Sequence, residues 1–116
     1  MSGVSTHVLD IAIGRPVKDV IVRLERQEIS GAWRPLASAL KDQDGRCAQL
    51  MATDHAHALE PGLYRVAFET AVYFASQQTE GLYPLVEVTF QVRNGEEHFH
   101  IPLLLSANGY TTYRGS

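Results

Sequence analysis

Apolar and polar residues alternate along this chain in short segments, and Gly, Pro, Asn and Asp break the pattern between them. Successive side chains of an extended strand point to opposite faces, so each such segment has one apolar and one polar face. Many short segments of this kind predict stacked sheets rather than helices joined by loops. Ser5 to Ile13 places His7, Leu9, Ile11 and Ile13 on one face and breaks at Gly14-Arg15-Pro16. Lys18 to Glu28 alternates Val20, Val22 and Leu24 against Ile21, Arg23 and Glu25, and Ser30-Gly31 turns it into Trp33 to Leu40. Asp42-Gln43-Asp44-Gly45 is a tight turn that delivers Arg46 at the head of a segment ending near Leu50. Leu63 to Glu69, Pro84 to Val92, Glu97 to Leu105 and Gly109 to Arg114 complete the strands. Thr70 to Gln78, with Thr70 as the cap, is the one predicted helix. The expected fold is all-β, a two-sheet antiparallel sandwich of about eight strands with one short helix.

A chain of 116 residues has room for one core, so residues 1–116 are read as a single domain. With 45% hydrophobic and 20% charged residues, neither disorder nor a membrane protein is indicated. Lys and Arg number 10 against 13 Asp and Glu, which leaves no basic footprint for nucleic acid. Cys47 is the only cysteine, which rules out an intrachain disulfide and a Cys-x-x-Cys metal or redox site. His7, Asp10, Arg15, Lys18 and Asp19 interrupt the first twenty residues, and no apolar run approaches the ~18 residues a membrane span needs. A cytoplasmic protein without a membrane anchor is expected.

Chemistry-bearing residues concentrate near the end of the chain. His98 and His100 are two apart in a strand, so both share the face opposite Phe99, Ile101 and Leu103. Such a pair can be plain surface histidine, a metal site or an acid-base site. A zinc site would need a further nitrogen from His7, His55 or His57, and no cysteine or carboxylate is suitably spaced, so no metal is expected. As an acid-base pair, imidazoles work near neutral pH but need a partner for developing negative charge. Arg46 and Arg114 offer planar guanidinium groups for that task, though either can also be a solvated surface charge.

Three stretches stand out: Ser5-Thr6-His7-Val8-Leu9-Asp10 with Gly14-Arg15-Pro16, then Asp44-Gly45-Arg46, then His98 to Ser106 leading to Gly109 and the terminal Tyr113-Arg114-Gly115-Ser116. Together they resemble the transthyretin-related 5-hydroxyisourate hydrolase family. Trp33 to Ser38, Gly62 to Arg65, Tyr73-Phe74 and Leu82-Tyr83-Pro84 also resemble family landmarks, so the resemblance spans nearly the whole chain. Ala107-Asn108 and Thr111 depart from the family pattern, at and just after the connection between the last two strands.

The resemblance implies a transthyretin-like sandwich that hydrolyses 5-hydroxyisourate, a purine-derived small molecule on the route from urate to allantoin. The implied product is 2-oxo-4-hydroxy-4-carboxy-5-ureidoimidazoline. It implies that His7, Arg46, His100 and Ser116 are catalytic, that Tyr113, Arg114 and Gly115 bind substrate, and that His98 is a neighbour. It further implies no metal or organic cofactor, and a homotetramer whose active sites lie in a channel where two dimers meet. The alternative from another class is a non-catalytic transthyretin-like carrier of small ligands.

Overall fold

The computed structural model describes residues 3–40, 46–52, 59–96 and 98–115, with residues 40 and 46–52 described by backbone alone. The strands are β1 (Gly3–Asp10), β2 (Arg15–Pro16), β3 (Ile21–Gln27), β4 (Trp33–Leu40), β5 (Arg46–Ala52), β6 (Gly62–Phe68), β7 (Val86–Val92), β8 (His98–Ser106) and β9 (Gly109–Thr112). One helix, α1 (Thr70–Ser76), links β6 to β7. The first sheet runs β2-β1-β8-β9, with β5 also paired to β1; the second runs β4-β3-β6-β7. The expected sandwich is therefore present, with the two-residue β2 as an extra strand. The turn at 42–45 and the loop histidines His55 and His57 lie outside the described residues.

Alternation builds the core as the sequence predicts. Val22 and Leu24 of β3, Val66 and Phe68 of β6, and Leu103 and Leu105 of β8 are fully buried between the sheets. The opposite faces carry charge: Arg65 bonds Glu25 at 2.9 Å and lies over the Trp33 ring at 4.3 Å. Arg23 pairs with Glu69 on the same outer face. Among the described residues, no helix is long and apolar enough to cross a membrane.

Three local expectations are corrected. Pairing is antiparallel except between β1 and β8, which run parallel from Gly3↔His98 to Asp10↔Leu105. The whole second sheet intervenes between them in sequence, so no hairpin constrains their direction. The first strand stops at Asp10 rather than Ile13. The Asp10 carboxylate accepts the Ala12 N–H at 2.9 Å, which turns the chain, and its other oxygen accepts the buried Tyr73 hydroxyl. Ile11 and Ile13 are left exposed in that turn. Thr70 does not cap α1. It is the first helical residue, after Glu69, and its hydroxyl donates to the Tyr83 carbonyl.

Candidate active site

Two central strands, β1 and β8, position the imidazoles. On β1, Val4 and Val8 face the core, so Ser5, His7 and Leu9 face away from it. On β8, Phe99, Ile101, Leu103 and Leu105 face the core, which puts His98, His100, Pro102 and Leu104 on the same outer face as His7. The parallel register pairs Ser5 with His100 and His7 with Pro102. His7 and His100 are thus one strand and two residues apart, a diagonal of about 8 Å at ordinary strand spacing and rise. Both are half-buried, whereas His98 is exposed.

Arg46 heads β5, and the antiparallel register sets it directly opposite His7. Residues far apart in sequence therefore meet at adjoining positions of one sheet. Ser5, a residue the sequence reading passed over, joins them: its hydroxyl lies 2.8 Å from His100 Nδ1. Ser5 sits two residues before His7, but only the parallel pairing reveals what it touches.

The C-terminal segment re-engages β8 after a gap. β9 ends at Thr112, opposite Leu103, yet the same register continues to a bridge in which the Gly115 N–H donates to the His100 carbonyl at 2.7 Å. The interruption coincides with Pro102, which has no N–H to give to the neighbouring strand. The Pro102 carbonyl is taken instead by the Thr112 hydroxyl at 2.7 Å. The ladder therefore stops short of the expected Arg114. Gly115 is opposite His100 in that continuing register, on the imidazole face, and Tyr113 is exposed between it and the end of β9. A Cβ built on Gly115 would stand 2.5 Å from His100 Cδ2, so the glycine backbone lies directly against the ring. Ser116 lies outside the described residues.

Arg114 takes the other side of the sheet. Its guanidinium lies 4.1 Å from the Phe99 ring centroid, donates to Glu96 at 3.0 Å and donates to the His98 carbonyl at 3.0 Å. The resemblance implies that Arg114 binds substrate; in the structure its guanidinium also fastens the tail. Glu96, also passed over, is the anchor. The Arg93 N–H donates to it at 2.7 Å, and that bond, followed by Arg114, holds its carboxyl below the usual carboxylate range. Among the described residues, no three His, Cys, Asp or Glu side chains are grouped to hold a metal.

This arrangement can be set beside known proteins. The family model described as HIUase/Transthyretin family matches residues 4–115. The chain belongs to that family. It is 43% identical over 112 residues to 5-hydroxyisourate hydrolase of Salmonella typhimurium, covering 97% of this chain and 79% of the relative. The solved 5-hydroxyisourate hydrolase of Klebsiella pneumoniae superposes with a TM-score of 0.83 at 36% identity, over all of both chains. Transthyretin of Sparus aurata superposes with a TM-score of 0.87 at 28% identity, over 99% of this chain and 97% of its own. Within the HIUase/Transthyretin family, backbone shape thus matches both kinds of member about equally. Any choice between them must come from side chains.

Proposed function

We propose that this chain hydrolyses 5-hydroxyisourate in the degradation of urate, on the outer face of the β1–β8 sheet. The observation that carries the reading is the register that brings His7, Arg46, His100 and Gly115 to adjoining positions on one face. A water molecule attacks a carbonyl carbon of the six-membered ring. Its proton passes to an imidazole, the C–N bond to the ring nitrogen breaks, and the proton is returned to that nitrogen. His7 and His100 activate and orient the water, and Ser116 is assigned to assist them. Arg46 stabilises the oxyanion and holds the electron-rich ring. Tyr113 and Gly115 shape the pocket wall, and Arg114 serves it by fastening the tail. The groups named supply the base, the acid and the positive charge, so the proposed chemistry calls for no metal or organic cofactor.

The half-exposed imidazole face suits a small heterocycle and is open to one side, so a second sheet facing it would complete a pocket. A homotetramer with sites at the meeting of two dimers supplies that cover. A cytoplasmic location is proposed with it, in keeping with the single cysteine.

The rival reading is a transthyretin-like carrier, favoured by the high similarity to the Sparus aurata protein. A carrier has no use for two imidazoles and an arginine opposite one another, whereas a hydrolase requires them. Purified protein should accelerate the decay of freshly generated 5-hydroxyisourate, followed by ultraviolet absorbance, with and without a chelator. Unaccelerated decay together with tight ligand binding would reverse the choice.

A further inference from the structure

The geometry points to Ser5 as the positioning residue of His100, the group that makes Nε2 the nitrogen that faces substrate. This rests on the hydrolase reading above. The Ser5 hydroxyl lies 2.8 Å from His100 Nδ1, and Ser5 itself is 7% exposed, so bulk water does not compete freely for the contact. With Nδ1 engaged by Ser5, the orientation of the ring is fixed about that nitrogen. Ser5 and His100 are paired residues of two neighbouring inner strands, so the contact is set by the parallel β1–β8 ladder and not by a mobile loop. Gly115 bounds the ring from the opposite strand, where even a methyl group would collide with Cδ2. The imidazole is thereby held between a hydroxyl on β1 and a bare backbone at the C-terminal tail.

A serine hydroxyl has one donor and two acceptor sites, so it satisfies Nδ1 whether or not that nitrogen carries the proton. With Nδ1–H donating to the hydroxyl throughout, His100 can gain and lose a proton at Nε2 while the ring stays in place. A carboxylate in the same position would pin one protonation state and add charge to the site; serine does neither. Ser5 does not touch the reacting atoms; it acts through the ring.

The test compares wild type with Ser5→Ala and Ser5→Thr, the second of which keeps the hydroxyl. Two readouts are taken: turnover of 5-hydroxyisourate, and the 15N resonances of the His100 ring in the ligand-free protein. Ser5→Ala should lower kcat by about 10- to 100-fold, the scale of a misoriented catalytic group, with KM little changed. The same variant should shift the Nδ1 and Nε2 resonances of His100, and Ser5→Thr should restore both readouts toward wild type. Wild-type turnover in Ser5→Ala overturns the inference. So does lost turnover with unchanged His100 resonances, because Ser5 would then act other than through the ring. Inactive wild-type protein would sink the hydrolase reading instead, while the resonance comparison would still decide whether Ser5 orients His100.

Discussion

Gly115→Ala is the sharpest single-atom perturbation the site allows. The added Cβ stands 2.5 Å from His100 Cδ2, and 3.3 Å from both His100 Cγ and Pro102 Cγ. Carbon atoms in contact settle at ~3.5–4.0 Å, so relief requires a movement of about 1 Å. Retreat of the ring toward β1 is blocked: Ser5 stands there, across β8 from Gly115, already at 2.8 Å from Nδ1. Pro102 lies in the sheet and is buried, so it cannot give way cheaply. The route that leaves the ring in place is for the tail to peel from β8, which breaks the 2.7 Å bond from the Gly115 N–H to the His100 carbonyl.

Losing one such bond costs about 0.5–1.5 kcal/mol, while forcing the methyl group into place costs about 1–3 kcal/mol, so peeling wins. The cost falls on a terminal segment that opens locally, and global unfolding barely registers it. Turnover should suffer far more, by roughly 10²-fold for a wall or ring displaced by about 1 Å. The assay is substrate decay beside thermal unfolding and hydrogen exchange at the Gly115 amide. Gly109→Ala is the control in the same hairpin, since a Cβ there meets only Ser106 Oγ, at an ordinary 3.9 Å. Wild-type turnover with full protection of the residue 115 amide in Gly115→Ala would refute the reasoning.

Other expectations follow from contacts already described. Glu96→Gln should loosen the tail, increasing exchange at Gly115 and lowering turnover while the melting temperature stays close to that of wild type. Because the Glu96 carboxyl is held below its ordinary value, first by the Arg93 N–H and then by Arg114, its contribution is present above the unfolded pKa. It is lost as pH falls through the lowered folded value, so tail protection measured down a pH series should fail only on the acid side of the usual carboxylate range. Tyr73→Phe deprives the buried Asp10 carboxylate of a donor and should destabilise the fold by about 1–3 kcal/mol, read by denaturant unfolding with turnover at low denaturant largely kept. Burial, and then the bond to Asp10, push the Tyr73 phenol above its ordinary value. That stabilisation is therefore complete below the unfolded pKa and declines as pH rises through the folded one, a loss that Tyr73→Phe should lack. Arg46→Ala should reduce kcat by about 10²–10³-fold, the scale of a lost oxyanion donor, with native circular dichroism; an unaffected kcat would remove Arg46 from the mechanism.

What could be read in the sequence is what depends on periodicity. Val22 and Leu24 go inward and Arg23 and Glu25 outward because strand geometry permits nothing else, and the same rule put His98 and His100 on one face. Pairing between distant strands is a different kind of information. Nothing local tells that β1 lies parallel to β8, yet that register alone brings Ser5 to His100 and sets His7 beside Pro102. β9 ends at Thr112 rather than Arg114 for a related reason: the interruption lies at Pro102 on the neighbouring strand, not at any residue of β9 itself. The place of Arg114 in the terminal motif does not tell where its guanidinium goes; that follows from strand parity, which turns it toward Phe99 and Glu96 while Gly115 keeps the imidazole face.

The same separation explains how one family can hold both hydrolases and transthyretins. The core that stabilises the sandwich lies between the sheets, at Val4, Val8, Phe99, Ile101 and Leu103, whereas the candidate site occupies the reverse side of the same two strands. Alternate residues on β1 and β8 thus serve folding and chemistry independently, so either set can change while the other is kept. On that view, replacing His7 and His100 together should abolish turnover and leave the stability of the sandwich nearly intact, because neither imidazole belongs to the buried core. A double variant that fails to fold would mean that the outer face of β1 and β8 carries structural weight of its own, and that the fold and the chemistry are not separable here.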